Sequence, residues 1–152
     1  MFITFLWIWK LPLHQGLCEL HIARRDWASA EREVPIFQKL SAATAEATWQ
    51  ANAYIAAATI SVETEHWTTA QEMIRMGSAA ISGFDAPLAE WRLHWLAFRT
   101  SHATESALKA QDGIYRLANS LERDSSLRES FLAAEPVATI LREHGLSRVA
   151  NV

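Results

Sequence analysis

The 152-residue chain is 50% apolar and 20% charged, with a formal net charge of −3 and one cysteine, Cys18. That length suits a single domain with a real core, and the acidic balance excludes a nucleic-acid surface, which needs a basic stripe. A lone cysteine excludes an intramolecular disulfide and a multi-cysteine zinc site and fits a reducing, cytoplasmic setting.

Met1 to Trp9 reads MFITFLWIW, about half the roughly 20 residues needed to cross a bilayer. It lacks a basic leader and a small-residue cleavage site, so no membrane partner is expected. Lys10 and Pro12 are expected to interrupt it. Phe2, Phe5, Leu6, Trp7 and Trp9 form an apolar cluster with no charge before Lys10, which predicts an interface.

Abundant alanine, few valines and tyrosines, and only five glycines and four prolines favour helix throughout. The chain also repeats. Arg25-Asp26-Trp27-Ala28-Ser29-Ala30-Glu31 returns about 40 residues later as Glu65-His66-Trp67-Thr68-Thr69-Ala70-Gln71, and weakly as His102 to Leu108. Each copy separates two helical patterns, so the prediction is a stack of antiparallel helix hairpins over 11–43, 44–83 and 86–122. In each hairpin a small residue (Ala30, Ala70) lets the backbones approach, and Trp27 or Trp67 plugs the end.

The first helices of the hairpins carry stripes at Leu17, Cys18, His21 and Ile22, then Tyr54, Ala57, Ala58 and Ser61, then Trp91, Trp95 and Phe98. The second helices bury Val34, Phe37 and Leu40, then Ala70, Ile74 and Ala80 or Ile81, then Ile114, Leu117 and Leu121. Pro35 should kink or split its helix. Asp26 is placed to cap one helix and Gly83 to end another at C′. Ser126 with Glu129 has capping-box spacing, and Pro136 opens a last helix within a C-terminal cap over 125–144.

The aromatic-to-alanine spacing resembles the tetratricopeptide repeat family. Cys18 and Ala58 stand at its small position, Trp95 departs from it, and the repeat is longer than the usual period of about 34 residues. Gly83 to Arg92, with Leu127 to Ala134 inside a phrase resembling LRxxFLAAxPVxxxL, is similar to the C-terminal repeat region of large bacterial signalling ATPases. That likeness implies the regulatory or sensor end of such a protein. No phosphate-cradling glycine loop accompanies it, so ATP turnover is not implied.

Catalytic and metal chemistry find little support. His14 and His21 lack a tight ligand pair, His66 belongs to a turn, and His94 adjoins a tryptophan stripe as a half-buried histidine. Cys18 occupies a core position as an inert thiol. Glu31/Glu33 and Glu63/Glu65 read as solvated faces. No catalytic residue, metal or cofactor is expected.

The family resemblance does imply a concave face, lined by Gln15 and Glu19, by Asn52, Ile55 and Thr59, and by Arg92, Leu96 and Arg99. Arg92 and Arg99, seven apart, could grip a carboxylate; the favoured alternative pairs them structurally with Glu63, Glu90 or Asp85. The resulting expectation is an all-helical, right-handed superhelical scaffold of one domain, without catalysis. Its partner would be a protein or peptide: a preceding ATPase-type domain or a second copy. A sensor of small anions and a hydrolase with an unrecognised site are the alternatives.

Overall fold

The computed structural model describes residues 6–144, and every described regular element is an α-helix. They are α1 (Leu6–Ala23), α2 (Trp27–Ala42), α3 (Ala47–Glu63), α4 (Trp67–Ala80), α5 (Pro87–Ser101), α6 (Thr104–Ser120), α7 (Ser125–Ala133) and α8 (Val137–His144). The chain divides into two compact units, one ending at Asp85 and the other starting at Ala86. The dominant packing is between consecutive helices: α1 on α2, α3 on α4 and α5 on α6. Phe2 and Phe5 of the apolar N-terminal cluster lie outside the described residues.

In the first unit the sequence repeat returns as repeated backbone geometry. Arg25 and Glu65 both adopt the left-handed conformation, with φ of 56° and 61°. The Asp26 amide donates to the His21 carbonyl at 2.9 Å, and the His66 amide donates to Ser61 at 2.7 Å. These are the same five-residue closure, and they satisfy carbonyls that a helix end leaves open. Asp26 caps α2 as expected by accepting from the Ser29 amide at 3.1 Å. His66, at the matching position before α4, makes no such side-chain cap.

Helix α3 sits between α1, α2 and α4, and buries Ala51, Ala53, Ile55, Ala56, Ala57, Ala58, Ile60, Ser61 and Val62. A helix hydrophobic nearly all round must be covered nearly all round. Its alanines join Leu11, Cys18, Ala30, Val34 and Phe37 in the core. Trp49 closes that core edge-on to Phe37, with ring centroids 6.3 Å apart.

The second unit is built on Trp91, Ile114, Val137 and Ile140, with Trp95, Leu117, Phe131, Leu132 and Leu141 packed around them. Of the FLAAxPVxxxL phrase, Val137 is core and Phe131, Leu132 and Leu141 pack partly buried against it, while Ala133, Ala134 and Pro136 are exposed. Buried Gln111 donates to the Ile140 carbonyl at 3.5 Å and ties α6 to α8.

Several expectations change. Helix α1 is continuous from Leu6 through Lys10 and Pro12, so the first hairpin starts before residue 11. Pro35 neither splits nor ends α2, because packing on α1 and α3 holds the helix across the missing hydrogen bond. Trp67 is 45% exposed and plugs nothing, whereas Trp27 packs partly buried against the core. The asymmetry has a cause within the unit: α2 is flanked by α1 and α3, while α4 packs on α3. Helix α7 is capped by Asp124, which accepts from the Leu127 amide at 2.9 Å, and Ser126 lies inside the helix. Gly83 is left-handed as expected, with φ of 84°, but stands two residues beyond the C-cap Ile81.

Candidate functional site

Three of the proposed concave-face residues do meet. Asn52 on α3 donates to the Gln15 side-chain carbonyl at 3.3 Å, and the Gln15 amide donates to Glu19 at 3.0 Å. This short amide-to-carboxylate ladder joins α1 and α3, and Glu19 keeps an exposed end. Thr59 donates back to the Ile55 carbonyl of its own helix at 2.8 Å. Ile55 and Leu96 are core rather than lining: each is almost fully buried, because its helix is covered on that side.

Arg92 and Arg99 are half-buried on α5, and neither is without a partner. Glu90, one of their expected partners, instead pairs with Arg116 on α6 at 2.9 Å. That pair borders a polar cleft of about 330 Å³ lined by Glu90, His94, Lys109, Asp112, Gly113 and Arg116. Lys109 pairs along α6 with Glu105 at 2.7 Å, so Glu90–Arg116 is the ion pair that bridges α5 and α6 here and Lys109 is neutralised from its own helix. Burial holds His94 below the ordinary histidine range, with Glu90 and Glu105 opposing that shift and Lys109 adding to it.

The buried thiol of Cys18 is pushed up to about 12, first by burial and then by Glu33 and Glu19 nearby. It stays a thiol at neutral pH, so it is a poor nucleophile. Above it His14 bonds to Glu33 across the α1–α2 contact. Sequence spacing missed this pair because its members lie on different helices. Among the described residues no group of three or more His, Cys, Asp or Glu is placed to hold a metal ion. Nor is any described helix long and apolar enough to cross a membrane.

The most distinctive surface is the outer face of α1. Trp9 is 78% exposed, Leu13 57% and Leu20 44%. With Gly16 between them they are spaced 4, 3 and 4 residues apart, which lines them along one side of a helix. Exposed Pro12 and Ala23 flank the stripe, and Ile8 adds to the apolar surface. Leu6 and Trp7 begin the same helix. The sequence reading stopped this cluster at Trp9 because it treated Lys10 and Pro12 as an interruption. The signal that continues it is the helical period running through both. No family model, curated protein or solved structure matches this chain.

Proposed function

We propose that the chain is a non-catalytic, tetratricopeptide-like helical scaffold that works by protein contact, as the regulatory end of a bacterial signalling ATPase-type protein. The observation that carries the contact reading is the apolar stripe of Trp9, Leu13 and Leu20 on the solvent side of α1. Aligned apolar side chains of this size stay in water at a cost that a partner surface removes. The neutralised cleft on α5 and α6, and a thiol kept protonated, offer no activated nucleophile, which favours binding over catalysis. The occupant is a neighbouring ATPase-type domain or a second copy.

The test is light scattering over a concentration series, with Leu13→Glu/Leu20→Glu as the comparison. Both positions are exposed, so the double variant should keep its helical content. Self-association of the wild type that the double variant abolishes supports a second copy. A wild type that remains monomeric at high concentration removes that occupant. Failure of the stripe variant to weaken binding to a purified ATPase-type domain would remove the other.

A further inference from the structure

A cleft of about 260 Å³ opens in the first unit where α2, α3 and the start of α4 meet. Val34, Pro35, Ala57 and Ile60 supply its apolar lining. Its polar side chains are Glu31, Ser61, Thr64, His66 and Thr69, and apart from the Thr69 hydroxyl they are placed to accept hydrogen bonds.

Pro35 has no N–H, so the carbonyl of Glu31, four residues earlier, lacks the donor that an uninterrupted helix would supply. Glu31 also brings a carboxylate to the cleft. The Ser61 hydroxyl donates its proton to the Ala57 carbonyl at 3.0 Å and keeps only lone pairs. Thr64 likewise donates to the Ile60 carbonyl at 2.8 Å. In its 2.8 Å contact with His66 Nδ1, Thr64 therefore accepts, and the ring carries its proton on Nδ1.

We propose that this cleft binds a small primary amine, an ammonium group on a compact apolar body. The ammonium offers three donors and a positive charge to a set made of a carboxylate, a carbonyl and lone pairs. The apolar body fits the aliphatic wall, and the volume, near the lower end of about 300 Å³ for ligand pockets, limits it to a small molecule. A carboxylate or phosphate of the same size would meet the Glu31 charge and, apart from the Thr69 hydroxyl, acceptors.

The test is an amide-resolved NMR titration of the full chain with phenethylamine, and with phenylacetate as the anion of similar shape. Phenethylamine should cause saturable shifts at the amides of Glu31, Ser61, Thr64 and His66, and phenylacetate should bind roughly tenfold more weakly. Glu31→Gln, at an exposed position, should weaken the amine about threefold to fivefold with the spectrum otherwise intact. Pro35→Ala returns a donor to the Glu31 carbonyl, so it should weaken amine binding while raising the melting temperature. A residue with a merely structural role would not move those two readouts in opposite directions. Absence of saturable shifts with phenethylamine, an equal response to phenylacetate, or unchanged affinity in Glu31→Gln would overturn the proposal.

Discussion

Asp26 and His66 occupy equivalent places in two turns that share the same left-handed residue and the same backbone closure. Only Asp26 gives a carboxylate oxygen to the first turn of its helix, and hydrogen bonding from the Ser29 side chain and then from the Ser29 amide holds its carboxyl below the usual carboxylate range. An N-cap of this kind is worth about 1 kcal/mol. Asp26→Ala should therefore cost about 1 kcal/mol in a urea titration, and His66→Asp should add a similar amount by giving α4 the cap it lacks. If His66→Asp left stability unchanged, the two turns would not be equivalent in solution. Trp67, at 45% exposure, no longer supports the large loss expected of a buried aromatic.

At the scale of helix pairs, the close approach is made in two ways. In the first unit Cys18 and Ala30, and then Ala58 and Ala70, are fully buried at the small positions of their hairpins. In the α5–α6 pair the bulky residue is on the first helix and the small one on the second. A Cβ at Gly113 would lie 2.8 Å from the Trp91 Cβ, an atom fixed to the backbone of α5. Gly113→Ala gains up to about 1 kcal/mol of helix propensity but forces apart a packed pair at a cost of roughly 1–3 kcal/mol. A net loss of stability is expected in denaturant titration. A stabilised variant would mean that the two helices separate freely at this point.

Across the whole chain, the half-buried His94 links stability to pH. Its folded-state value lies below that of an unfolded histidine, about 6.5, so the unfolded state takes up the proton first on acidification. Its contribution is complete above pH of about 6.5 and is lost as pH falls toward the folded value. The groups around it are Glu90 on its own helix and Glu105, Lys109, Asp112 and Arg116 on α6. Thermal melts from neutral to mildly acidic pH should show a declining midpoint, and His94→Gln should flatten that decline. An equal slope in the variant would assign the pH dependence to other groups.

The helices, their order, the two matching turns and the Asp26 cap were legible in the residues because each depends on neighbours within a few positions. A 3.6-residue period and a polar residue before it suffice for those features. Burial is different, because it depends on what stands across from a helix face. Periodicity placed Trp27 and Trp67 alike, yet α2 packs extensively on both α1 and α3, while α4 packs chiefly on α3 within the unit. Ile55 and Leu96 were expected to line a face and are core for the same reason. The His14–Glu33 bond, the Glu90–Arg116 pair and the cleft between α2, α3 and α4 each join residues far apart in the chain. Pro35 was visible as an anomaly, but only the packing around α2 shows that the helix persists through it.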